Sequence, residues 1–174
     1  CDWYIELTKA RLYSEDEASK TVAQKVLLYV LDQFLKLLHP FMPFLTEEIW
    51  QAIPHEGDSI MVQSWPKFRE DLCFKTEETA MEAIMNAIRA VRNRRAEMNV
   101  PPSKKSTLYV VTGKRDVFEQ GSGFITRLAY ADQVVVTDTT PAGHEDMVSC
   151  VTADAEMFIP MNQLVDIEKE MERI

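Results

Sequence analysis

Cysteine and histidine are scarce in this 174-residue chain, with three of each. Cys1, Cys73 and Cys150 are odd in number and far apart, without a CxxC pair, and His39, His55 and His144 are equally scattered. That spacing argues against a disulfide framework or a metal site, and for free thiols in a reducing compartment. No apolar run approaches the roughly 20 residues of a membrane helix, and no secretory signal is present. Walker-type phosphate loops, GxGxxG, HExxH and GxSxG motifs are all missing. Gly121-Ser122-Gly123 reads as a helix interruption, because its surroundings are not strand, Gly-rich turn and helix in succession. Glu47 and Glu48 are adjacent, so on a helix they do not face each other as an acid/base pair would. His144-Glu145-Asp146 reads as a surface cluster. No nucleophile stands out, so no catalytic residue is expected in this chain.

Positive charge is also in short supply. Nineteen Lys and Arg oppose 28 Asp and Glu, for a formal charge of −9. Arg89–Lys105 (RAVRNRRAEMNVPPSKK) breaks that balance, with Arg89, Arg92, Arg94, Arg95, Lys104 and Lys105 against one acid, Glu97. A phosphate backbone is the natural partner for such a run, because Lys and Arg release condensed counterions on binding it. A solvated helix face is the competing reading. The acidic whole argues against indiscriminate coating of nucleic acid and leaves room for one local basic site.

The 46% hydrophobic content suits a packed globular protein. Residues 1–13 are expected to be helical, with Trp3, Leu7 and Ala10 as the buried stripe. Ser14 and Glu17 fit a capping box for the next helix, 16–39. That helix is apolar over much of its circumference, which predicts a place in the middle of a bundle. Pro40 stops it. Pro43 suits the first turn of a helix over 43–53, with Glu47 and Glu48 near its positive end. Residues 54–71 read as a long loop lying on the bundle with Trp65 docked by its ring. A helix over about 75–99 buries Met81, Ile84, Met85, Ile88 and Val91. Asn86, Arg89 and Asn93 then stack on a separate polar stripe. Arg95 projects near the apolar face and should find an acid or a carbonyl, with Glu6 or Asp2 as the acid.

Beyond Pro101-Pro102 the composition turns β-rich. Strands are predicted over 106–112, 133–137, 147–152 and 155–159, as a strand–helix–strand start and a hairpin finish. Leu164, Ile167, Met171 and Ile174 have the spacing of a coiled coil. The expected fold class is α+β: a helical bundle over 1–103, a small α/β subdomain over 104–160, and the start of a coiled-coil arm over 161–174. Cys1, in place of a Met, opens a helical-looking stretch, and the heptad pattern runs to the last residue. A segment of a longer protein is therefore expected.

The segments CDWYIELTKARLY, LLHPFMPFLTEEIWQ, SIMVQSWP and IRAVRNRRAEMNVPPSKK, in this order, resemble the anticodon-binding region of class I aminoacyl-tRNA synthetases. The run Arg95–Lys104 and the acidic heptad start LVDIEKEMERI resemble the valyl members in particular. The resemblance covers nearly the whole chain and is densest in residues 1–105. It implies a parent ligase that uses ATP and Mg²⁺ to activate valine and charges tRNA(Val) in the cytoplasm. The catalytic domain would lie upstream, and no HIGH-like or KMSKS-like signature occurs here, so no cofactor is expected in this chain. The implied role of this segment is to recognise the anticodon stem-loop. Splayed single-stranded bases can be stacked on guanidinium planes and read on their edges. The RNA-binding candidates are Asn86, Arg89, Arg92, Asn93, Arg94, Lys104 and Lys105, with Tyr4, Lys9 and Arg11 weaker. The matching region of an isoleucyl- or leucyl-tRNA synthetase, and a helical protein–protein scaffold without an RNA role, are the alternatives.

Overall fold

The computed structural model describes residues 2–164. Among the described residues seven α-helices and a four-stranded mixed sheet give an α+β chain, helical first and with the sheet following. The chain divides into two compact units between Leu72 and Cys73.

The first unit holds α1 (Asp2–Leu12), α2 (Glu17–Leu38) and α3 (Pro43–Ala52). Asp16, not Ser14, caps α2, its carboxylate accepting from the Ala18 and Ser19 amides at 3.1 Å each. Ser14 instead accepts from the Asp16 amide. Within the unit α2 packs on α1 and α3, helices half its length. They cover one side of it, so Ala23 and Leu35 are buried while Val22, Val26, Tyr29, Val30, Phe34 and Leu37 stay exposed. Within this unit α2 is the helix that packs on both others, and its remaining apolar face is exposed. On α1, Leu7 and Thr8 are buried and Ala10 is exposed.

Leu35, Trp50 and Ile60 form the core of this unit, flanked by Leu31, Ile49 and Ile53. The Trp50 indole N–H donates to Asp32 Oδ1 at 2.9 Å, and Lys36 donates to Oδ2 at 2.7 Å. Burial acts to raise the Asp32 pKa, but these bonds outweigh it and hold the carboxyl below its usual range. Glu47 lies beyond the first turn of α3. Its carboxylate accepts from Gln51, from the Ser59 hydroxyl and from the Ile60 amide, so it ties the following loop to the helix. Ile60 anchors that loop, whereas Trp65 is 57% exposed and not docked as predicted.

The second unit opens with α4 (Lys75–Glu97), followed by β1 (Ser106–Val111), α5 (Arg115–Gln120), α6 (Ser122–Leu128), β2 (Ala131–Thr137), β3 (Met147–Val151), β4 (Glu156–Pro160) and α7 (Met161–Leu164). The sheet order is β2-β1-β4-β3, with β1 and β2 parallel and the other pairs antiparallel. The predicted crossover and hairpin are both present. The β1–β2 register shifts between Ser106 and Thr107, and the Thr107 amide donates to Gln163 Oε1 of α7 at 2.7 Å.

The structure packs α4 against α5, α6 and β3. Small residues permit that approach. Ala83, Ile84, Ala87, Ile88 and Val91 are buried on α4. A Cβ on Gly121, at the α5–α6 junction, would lie 2.4 Å from Ile84 Cδ1. The helix interruption at Gly121 is thus a point of close packing. The coiled-coil positions Ile167, Met171 and Ile174 lie outside the described residues. Leu164, the first of the series, is buried.

Candidate nucleic-acid interface

The basic run occupies the last turns of α4 and the segment that leaves it. Helix α4 ends in a Schellman arrangement. The Val100 amide donates to Arg95 O at 2.9 Å and the Asn99 amide to Ala96 O at 3.0 Å. Asn99 sits in the left-handed region at φ 54°, which Asn tolerates better than most residues and which is the usual conformation just past a helix end. The chain is thereby folded back, and Pro101–Lys104 passes beside the final turn of the helix.

Arg95 holds that return. It is 2% exposed. Its guanidinium donates to Ser106 Oγ at 3.1 Å, to Pro101 O at 3.3 Å and to Lys104 O. The predicted structural role is present, with carbonyls and a hydroxyl where Glu6 or Asp2 was the named acid. Backbone carbonyls became available because the Schellman turn delivers them; nothing in the residue order alone places them there. Burial lowers the Arg95 pKa, with Tyr130 nearby acting the other way, yet an arginine remains a cation at neutral pH.

The polar stripe forms as spaced. Arg89 and Asn93 are exposed, and Asn86 is half-buried. Asn86 Oδ1 accepts from Arg89 Nη1 at 3.0 Å, which orients one edge of the guanidinium. Arg92 is exposed at the border of this stripe. It donates to the Tyr130 hydroxyl at 3.1 Å, and its Cζ lies 5.4 Å from the ring centroid. Arg92 and Arg95 therefore bond to hydroxyls and carbonyls, and these bonds cancel neither positive charge. Lys105 is exposed and Lys104 half-buried.

Arg94 stands apart. At about 100° per residue it is a quarter turn or more from the Arg89–Asn93 stripe. It pairs with Glu97 at 3.0 Å. Nearby, burial raises the pKa of the Cys150 thiol and the Arg94 guanidinium opposes that rise. The weaker candidates on α1 have local partners too: Lys9 pairs with Glu6, and Arg11 donates to Ser19. Tyr130 was not among the sequence candidates. It is 38 positions from Arg92 in the chain, and neither Ala129 nor Ala131 beside it signals a turn.

Among the described residues no group of three or more His, Cys, Asp or Glu could hold a metal ion. No helix among them is long and apolar enough to cross a membrane. Among the described residues Cys73 is exposed, Cys150 is buried, and neither is in a disulfide.

Comparison with known proteins bears on what such a basic helix end does. The chain is 45% identical over 177 residues to a valine–tRNA ligase of Anoxybacillus flavithermus, 46% over 176 residues to that of Clostridium acetobutylicum, and 44% over 177 residues to that of Geobacillus stearothermophilus. Each alignment covers 100% of this chain and 20% of the relative, so the chain spans one fifth of the length of these ligases. A family model described as the anticodon-binding domain of tRNA ligase matches residues 1–111, a span that takes in the whole of α4 and ends with β1. The chain belongs to this family of tRNA-ligase anticodon-binding domains.

Proposed function

We propose that this chain is the tRNA-reading part of a valine–tRNA ligase, and that α4 with the turn after it meets the anticodon stem-loop of tRNA(Val). The observation that carries the reading is the surface built at the end of α4. Arg89, Asn93 and Arg92 are exposed side by side there, and exposed Lys105 follows the folded-back segment, just before β1. Arg supplies a stacking plane and a forked donor. Asn supplies both a donor and an acceptor for a base edge. Lys105, with Lys104 beside it, suits backbone phosphates. Arg94, drawn toward Glu97, contributes charge from the flank.

The whole ligase joins valine to tRNA at the expense of ATP with Mg²⁺, in the cytoplasm. No residue of this chain is assigned to either cofactor. Catalysis belongs to the four fifths of the ligase length that this chain does not span, and this segment contributes selection of the tRNA.

Binding of tRNA(Val) to the full-length protein tests the reading. Arg89→Ala and Asn93→Ala should each weaken cognate tRNA binding or narrow the gap to non-cognate tRNA. Unchanged affinity and selectivity for both variants would remove α4 from the interface.

A further inference from the structure

Two helices of the second unit end in a left-handed residue that is not glycine. After α4 it is Asn99, whose side chain suits that conformation. After α6 it is Tyr130, at φ 58°, and a bulky aromatic residue rarely adopts it. The conformation turns the chain from Ala129, the cap of α6, directly into β2. It also puts the Tyr130 ring beside two guanidinium groups. The Arg92 Cζ lies 5.4 Å and the Arg95 Cζ 5.8 Å from the ring centroid. The phenol oxygen accepts from Arg92 Nη2 at 3.1 Å.

These contacts form a graded support. Arg95 is buried and fixed by Ser106, Pro101 and Lys104. Tyr130 leans on Arg95, and the exposed Arg92 leans on Tyr130. An exposed arginine otherwise loses much side-chain freedom when it meets a ligand. Here that freedom is already restricted, and the bond to the phenol uses one of the five guanidinium N–H donors. The others remain for an anion or a base edge.

We infer that Tyr130 is a positioning residue for RNA binding, holding the Arg92 guanidinium oriented before the RNA arrives. The inference rests on the proposed anticodon reading. It extends the interface from α4 to the α6–β2 turn of the sheet unit, and it explains why a tyrosine occupies a position where Asn or Gly would be less strained.

A double-mutant cycle in the full-length protein tests it, with tRNA(Val) affinity measured across a salt series. Arg92→Ala should weaken binding about tenfold and flatten the log–log salt slope by about 0.7. Tyr130→Phe keeps the ring and removes the acceptor, and should weaken binding about threefold. In the Arg92→Ala background it should cause no further loss. Tyr130→Asn should melt at or above the parent, since Asn relieves the backbone, and still bind tRNA at least as weakly as Tyr130→Phe. Undiminished affinity in Tyr130→Phe overturns the inference, as does an equal loss with and without Arg92. An Arg92→Ala variant that binds normally also overturns it. The proposed function would nevertheless survive if Arg89→Ala and Asn93→Ala lose affinity, so the two readings fail separately.

Discussion

Replacing Arg95 with methionine opposes two large effects, and the structure decides between them. Methionine approximates the arginine stem and removes a buried charge, which by itself is favourable, because exchanging buried ionic groups for apolar ones often stabilises a fold. The guanidinium Nε moreover has no hydrogen-bond partner, so the charge is incompletely compensated where it lies. Against this, Arg95→Met removes only the donor and leaves Ser106 Oγ, Pro101 O and Lys104 O behind. Bonds from a charged donor contribute about 1.5–3 kcal/mol each, and an orphaned buried acceptor costs about 1–3 kcal/mol. The two carbonyl bonds are only part-buried, so water can take over some of that loss. The expected net destabilisation is about 2–4 kcal/mol. For a domain of this size that corresponds to a fall in Tm of about 4–16 °C. Thermal unfolding followed by far-UV circular dichroism, with a urea titration to check that the m-value is preserved, measures it. Arg95→Lys should recover less than half of the loss, because one ammonium cannot span acceptors arranged for a planar fork. An Arg95→Met protein melting at or above the parent would refute the reasoning, and would mean that the desolvated charge outweighs the three bonds.

Two further perturbations probe the packing of the separate units. Gly121→Ala should cost about 1–3 kcal/mol by overpacking, since the new Cβ falls 2.4 Å from Ile84 Cδ1 and 3.2 Å from Val117 O. Ile84→Val, which lacks that Cδ1, should be less harmful in the Gly121→Ala background than alone when both are followed by urea denaturation; strict additivity would deny the contact. In the first unit the folded pKa of Asp32 lies below its unfolded value of about 3.9. Its contribution to stability is therefore complete above that pH and disappears as the pH falls through the folded value. Trp50 fluorescence should report an acid transition that Asp32→Ala flattens, with a loss at neutral pH of about 1–3 kcal/mol for the orphaned indole N–H; an unaltered acid limb would exclude Asp32 as its source.

Local rules made many of the elements legible. The stop of α2 at Pro40, the start of α3 at Pro43 and the two hairpin strands around Asp154 follow from proline chemistry and from hydrophobic alternation, which act over a few neighbouring residues. The Asn86–Arg89–Asn93 stripe follows from helical spacing alone. The expected cap of α2, Ser14, is replaced in the structure by Asp16, because both residue types cap helices and their positions differ by two. Exposure was harder again: an apolar residue on α2 reads the same whether or not a neighbour lies against its face, and α1 and α3 lie against another.

Residue identity at short and regular separations is enough for the α+β order of the elements, for the basic helix end and for its resemblance to an anticodon-binding domain. It took the folded chain to show that α4 packs with the sheet unit, that Arg95 is held by Ser106, Pro101 and Lys104 in place of an acid, and that the Tyr130 hydroxyl accepts from Arg92. Those outcomes depend on a glycine meeting Ile84 37 positions away, on a helix end that turns its following carbonyls back, and on a left-handed tyrosine. All three have one cause. Close approach and charge solvation are settled by which atoms meet in space, and that is decided by the fold as a whole.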